Sequence, residues 1–201
     1  MSRITELIPE QNFEIVRDVI GAIILDELSN QKVMQPNRFS EDLKVFTARS
    51  TPFQQSEKLM INVSCDNGNY TSRSQKGNHG GINYNVDIFA RGYENASENG
   101  GLNASKLRDK YIGAIRYILS DTHYVTLGLP LGLIMGTSIE SFENYEVPNS
   151  VDSAFVQMGR LVFNVRMTEN QSLWDGVLVN SLFTNVRIDL TDKGYQLIKE
   201  F

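Results

Sequence analysis

Residues 82–92, INYNVDIFARG, carry the fold: Ile82, Tyr84, Val86, Ile88 and Ala90 alternate with Asn83, Asn85, Asp87, Phe89 and Arg91. A period of two is the pattern of a strand with one face built for burial. Just before it, residues 59–65 (LMINVSC) alternate in the same way, with Leu59, Ile61, Val63 and Cys65 on one face. Between the two lies 66–81 (DNGNYTSRSQKGNHGG), almost wholly of loop-forming residue types. Two alternating strands joined by such a segment predict a long antiparallel hairpin. A polar loop of that length, with Tyr70 as its one hydrophobic anchor, projects from a compact domain, either as a mobile surface loop or as an arm ordered by a partner or a neighbouring subunit.

Working outward, Phe13, Val16, Val19, Ile20, Ile23, Ile24 and Leu28 recur at helical spacing over 12–28. Asn12 is the expected cap, Glu14 suits the first turn, and Gly21 allows close packing against a neighbour. Residues 43–47 (LKVFT) read as a short strand. After the Gly/Asn/Ser turn at 94–101, Leu107, Tyr111, Ala114, Ile115 and Ile118 form the stripe of a second helix over 102–119, with Asn103 or Ser105 near its start. Its other side carries Lys106, Arg108, Asp109 and Arg116.

Residues 127–133 (LGLPLGL) are broken by Gly128, Pro130 and Gly132, so they read as a turn or bulged edge, and 134–143 as a strand. The longest strand signal is 155–168, a length that predicts a place at the centre of a sheet. A weaker strand falls at 183–190, and 192–201 reads as a short helix or a tail. The expected fold is α+β, a mainly antiparallel sheet packed against two long helices. It forms a single domain over 1–201, with the projecting hairpin loop 66–81 and a carboxy-terminal extension over 173–201.

Composition narrows the function classes. The chain has 201 residues, 41% hydrophobic and 21% charged, which suits one globular domain rather than a disordered chain. A net charge of −5 disfavours direct duplex binding, although Arg73 with Lys76, or Lys106 with Arg108 and Lys110, are candidates for local basic patches. The single cysteine, Cys65, excludes an intrachain disulfide and is expected to be a buried, inert thiol. The first residues lack the apolar core of a signal peptide, and runs such as IGAIIL are too short to span a bilayer.

Chemistry-bearing patterns are missing. His79 and His123 are far apart in sequence, with no HExxH, CxxC or GxSxG motif, and Gly77, Gly80 and Gly81 lead into a strand rather than a phosphate-binding helix. The sequence predicts no catalytic residue, no metal ligand and no cofactor, hence no enzyme. The competing enzyme reading is a small hydrolase or nuclease using exposed carboxylates such as Asp87.

In order, the chain runs through an apolar helix, VFTARSTPF, LMINVSCD, the polar loop, INYNVDIFARG, a Ser/Asn turn, KLRDKYIGAIRYIL, IMGTSIESFE and FVQMGRLVFNVRM. From Phe13 to Thr168 this order resembles the tail terminator, or tail completion, proteins of long-tailed bacteriophages. The resemblance lies in element order and contains no diagnostic motif. It implies a structural virion protein, assembled in the host cytoplasm, that forms a homo-oligomeric ring, generally a hexamer. That ring caps the tail tube protein and joins it to the neck or head-completion protein, with the tail sheath as a further contact. DNA passes through without specific binding.

On this resemblance Tyr70, Arg73, Lys76 and His79 are the candidate partner-contact residues of the hairpin loop. Ile20, Ile24, Lys106 and Lys110 are the candidate subunit contacts of the helices. Other neck, connector, tail-tube or baseplate components are the alternatives within the same class.

Overall fold

The computed structural model describes residues 7, 10–50, 53–54, 56–73, 77–94, 99–130, 132–146, 154–170, 181–187 and 194–200. The chain divides into two compact units, Met1–Gln171 and Ser172–Phe201.

In the first unit the elements run α1 (Asn12–Met34), β1 (Val45–Thr47), β2 (Leu59–Arg73), β3 (Gly77–Tyr93), α2 (Gly100–Leu119), a 3-10 turn (Thr122–Tyr124), β4 (Ile134–Glu146) and β5 (Ala154–Asn170). The five strands form one sheet in the order β1-β2-β3-β5-β4. β3, which contains the alternating run 82–92, lies in its middle, paired with β2 on one side and β5 on the other.

The expectation of a mainly antiparallel sheet packed against two long helices requires correction. The sheet is mixed: β1 runs parallel to β2, with Val45 opposite Ile61 and Thr47 opposite Val63. A separate two-stranded sheet stands in the second unit. Alternation reveals a strand but not its direction. After Thr47 the chain departs through Ala48 in the left-handed region (φ 55°), and β2 runs in the same sense as β1.

Burial follows the predicted face of β3. Ile82, Tyr84, Val86, Ile88 and Ala90 are all buried, together with Val16, Ile20, Ile24 and Leu28 of α1 and Leu107, Tyr111 and Ile115 of α2. Gly21 packs against the short edge strand, where an added Cβ would lie 2.9 Å from Thr47 Cγ2. The cap of α1 is Gln11 rather than Asn12. The Gln11 N–H donates to Glu14 Oε2 at 2.8 Å, while Asn12 Nδ2 reaches the Thr168 carbonyl at 3.0 Å and ties the helix start to β5.

For α2 the cap is Asn99, upstream of the expected Asn103 or Ser105, with its side chain accepting from the Gly101 N–H at 2.7 Å. Arg108, expected on the solvated side, is buried. Its Nη1 donates to Gln157 Oε1 at 2.9 Å and its aliphatic stem lies against Gly159.

The segment 66–81, predicted as loop, is strand over most of its length. β2 continues to Arg73 and β3 begins at Gly77, with Gly68 opposite Ile82 and Arg73 opposite Asn78. Ladder hydrogen bonds need only backbone, and β5 supplies a second partner from Gly77–Asn170 inward, so tertiary pairing overrides weak strand propensity. Register shifts at Cys65/Asn67 and Tyr70/Ser72 accommodate the Asn- and Gly-rich run. Cys65, expected to be buried, is exposed at the first of these shifts. Residues 74–76 lie outside the described residues.

In the second unit, β6 (Ser181–Arg187) and β7 (Gly194–Glu200) form an antiparallel ladder from Ser181–Glu200 to Arg187–Gly194. Residues 194–200 are therefore strand, not the short helix or tail that the sequence suggested.

Candidate interaction surfaces

The second face of the central strands is polar and largely tied up by its own neighbours. On β3, Asn83 donates to Asn67 Oδ1 at 3.2 Å and accepts from Asn164 Nδ2 at 2.6 Å, a row across β2, β3 and β5. Two steps along the same face, Asp87 is held by Arg160 at 2.7 Å and 3.0 Å. Beyond that, Arg49, Phe53 and Gln54 cover the face: the Arg49 N–H donates to Asn62 Oδ1 at 2.8 Å, and Phe53 stacks on Phe89 with ring centroids 5.8 Å apart. Arg91 Nη2 donates to the Gln54 carbonyl at 3.3 Å. The acid singled out for a hydrolase reading is thus the buried half of an ion pair.

Of the hairpin candidates, Tyr70 is half-buried on β2 and His79 is exposed on β3, with its Nδ1 2.9 Å from Thr168 Oγ1. Lys76 and the side chain of Arg73 fall outside the described residues. The helix candidates separate. Ile20 and Ile24 are fully buried in the chain's own core, so they offer nothing to a neighbouring subunit. Their helical spacing marked a core face, and the core of this same chain consumes it.

Lys106 is exposed, whereas Lys110 is half-buried and bound at 2.8 Å to Glu41 Oε2 and at 2.7 Å to the Arg38 carbonyl. Burial pushes the Glu41 carboxyl up, but hydrogen bonds from Lys110, backbone and Tyr111 outweigh it and hold the carboxyl below its ordinary range. Burial, and then the neighbouring Glu41 carboxylate, push the Tyr111 hydroxyl up.

A surface the sequence reading missed lies on β4. Among the described residues it is an edge of the sheet paired with β5 alone, and Met135, Phe142 and Tyr145 project from it into solvent, 50%, 56% and 39% exposed. Tyr145 donates to Glu143 on the same strand. The available signal was two aromatics interleaved with acids in SFENYE, a pattern that does not fit a face turned to the core.

Between α1 and α2 runs a groove of about 710 Å³ lined by Glu27, Gln31, Phe39, Tyr117 and Tyr124 among others. The hydrogen bond from Tyr124 to Glu27 pushes the tyrosine hydroxyl up to about 12. Among the described residues no cluster of His, Cys, Asp and Glu is arranged to hold a metal ion. No helix among them is long and apolar enough to cross a membrane.

No family model and no curated protein sequence matches the chain. Among solved structures, it is similar to a chain described as "Virion of native gene transfer agent (GTA) particle". That chain is part of a virion. The likeness is distant, with 15% identity and a TM-score of 0.39, covering 62% of this chain and 78% of that chain.

Proposed function

We propose that this protein is a structural virion component that caps the tail tube and joins it to the neck or head as an oligomeric ring of identical subunits. The observation that supports this reading is the order of elements. A helix, a short edge strand, a long hairpin, a second helix and a closing strand pair follow one another as in the tail terminator proteins that the sequence resembles. In this reading the ring is hexameric, the tail tube protein and neck protein are its partners, the sheath is a further contact, and DNA passes through unbound.

The open edge of β4 is the proposed subunit contact in place of Ile20 and Ile24. Its outer edge, which no other strand among the described residues pairs, and its exposed Met135, Phe142 and Tyr145 provide both hydrogen bonds and apolar area to a neighbour. The hairpin of β2 and β3 is the proposed tube or neck contact, extended as a paired ladder rather than a loose arm. We assign no catalytic role, since Asp87 is engaged by Arg160.

The test is electron microscopy of the purified protein, alone and mixed with tail tubes. Closed single rings seated on tube ends are expected. Open-ended polymers, or a monomer that ignores tube ends, would overturn the reading.

A further inference from the structure

The groove between α1 and α2 carries one charge of each sign toward its two ends. Arg38 is exposed in it, and among the described residues its guanidinium meets the ring of Phe39 at 5.4 Å and no carboxylate. Toward the other end Glu27 accepts from Tyr124, with Asp26 and Asp121 near the same hydroxyl and Asp121 taken by His123 at 2.7 Å. From Glu27 to Gln35 the helix rises about 12 Å, before the turn in which the Arg38 N–H donates to the Gln35 carbonyl at 3.0 Å. Phe39, Ala114 and Ile118 supply the apolar lining between, and Tyr117, 78% exposed, stands on the wall.

A second pair of opposite charges lies on β4 and β5, on the face of the sheet turned away from the helices. Arg166 is exposed and lies across β4: a Cβ at Gly136 would fall 2.7 Å from its Nη2. Among the described residues no carboxylate pairs with it. Glu143 sits opposite Arg160 on the same face, exposed, and accepts from Tyr145 rather than from a cation. From Arg166 to Arg160 the strand spans about 20 Å. Glu140 lies between, accepting from Ser138 at 3.1 Å, and Met135, Phe142 and Tyr145 border the charges with apolar surface.

We propose that the groove receives the β4 and β5 strip of a second copy of this chain, with Glu143 meeting Arg38 and Arg166 meeting Glu27. The docking rests on the ring assembly proposed above and names what the β4 edge meets there.

Charge complementarity selects this occupant. Each patch carries a cation and an anion, and their separations agree to within the reach of an arginine side chain. Paired in this sense, every charge gains an opposite neighbour; an all-basic or all-acidic partner would satisfy one end of the groove and oppose the other. The amides of Gln31 and Gln35, which bond one another at 3.3 Å, retain donors and acceptors for the outer backbone of β4.

The topology makes the contact intermolecular. α1 packs on β1 and β2, and α2 on β3 and β5, so the groove is on the helix side of the sheet. The strip is on the other side, at the edge farthest from β1. Two different patches of one subunit that meet between copies form a head-to-tail contact, the kind that closes a ring.

The experiment compares wild type, Arg38→Glu, Glu143→Arg and an equal mixture of the two variants, by sedimentation velocity and by electron microscopy on tail tubes. Each variant alone brings like charges together and is expected to associate at least about tenfold more weakly than wild type. Urea midpoints of both are expected to match wild type, since both residues are exposed. In the mixture the strip of each variant suits the groove of the other, so alternating rings are expected to return. The pair Arg166→Glu and Glu27→Arg repeats the exchange at the second contact and is expected to behave alike.

Variants that assemble as wild type does would overturn the docking and leave the ring reading standing; a groove filled by another part of its own chain gives that result. Impaired variants that the mixture does not rescue would overturn it too. Wild-type protein that stays monomeric, alone and on tubes, would overturn the ring reading itself.

Discussion

Arg160 on β5 clasps Asp87 on β3 through two parallel hydrogen bonds, Nε to Oδ1 at 2.7 Å and Nη2 to Oδ2 at 3.0 Å. The register places the two residues directly opposite, so the pair spans the central ladder of the sheet. Asp87 is buried, and contact with it raises the Arg160 guanidinium further above its ordinary range. Asp87→Asn keeps the shape but removes the charge, leaving the guanidinium poorly matched. The expected loss is about 1–3 kcal/mol, read as a lower urea midpoint with an unchanged slope. Adding Arg160→Gln to the same chain should cost less than the sum of the single changes, because the partner left unpaired is gone.

Two glycines test how α2 is seated. At Gly92 a Cβ would strike the Gly100 carbonyl at 2.0 Å, which is backbone and has no rotamer to yield. At Gly113, in the interior of the same helix, a Cβ meets nothing within 4 Å. Gly92→Ala is therefore expected to destabilise by about 2–3 kcal/mol or more, as overpacking does. Gly113→Ala should stabilise by about 0.5–1 kcal/mol through helix propensity. Thermal unfolding of both variants checks the opposite signs; a stable Gly92→Ala protein would contradict the close approach of β3 to α2.

These contacts show which parts of the fold were legible in the sequence. The buried face of β3 and the stripe of α2 were readable because periodicity reports which side of an element meets the core. Strand direction was not, because β1 has the same alternation whether it runs parallel or antiparallel. The polar continuation of the hairpin was hidden for another reason. Asn, Gly and Ser favour turns locally, whereas 77–81 is strand with β2 paired on one side and β5 on the other. Ile20 and Ile24, named as subunit contacts, are buried in the chain's own core, and their helical spacing suits a neighbour or the chain's own sheet equally well. The exposed aromatics of β4 depend on sheet order, and local pattern does not give that order.

Acid stability depends on Glu57 and Glu41. Arg49 holds Glu57 in a buried pair at 2.7 Å, and this hydrogen bond keeps the carboxyl below its ordinary 4.5, against the opposing push of burial. Glu41 is likewise held low. A carboxyl with a depressed value in the folded chain contributes stability that is fully present above its unfolded value. That stability is lost as pH falls through the folded value. Unfolding midpoints should be flat above about pH 5 and fall progressively below 4.5. Glu57→Gln should be less stable at neutral pH, and the gap to wild type should narrow as the pH drops. A gap independent of pH would exclude the Arg49 pair as its source.

The edge of β4 carries the last prediction. Natural sheets protect exposed edges with charge, and here Met135 and Phe142 leave apolar surface on a strand that, among the described residues, pairs with β5 alone. If that edge receives a neighbouring subunit, a lysine at either position places a charge inside the interface while remaining harmless on the monomer. Met135→Lys and Phe142→Lys are therefore expected to change stability by no more than about 0.5 kcal/mol and to abolish ring formation. The matching measurements are urea unfolding for the first effect, and light scattering with electron microscopy on tail tubes for the second. Rings of normal size from both variants would remove β4 as the subunit contact and redirect attention to the hairpin of β2 and β3.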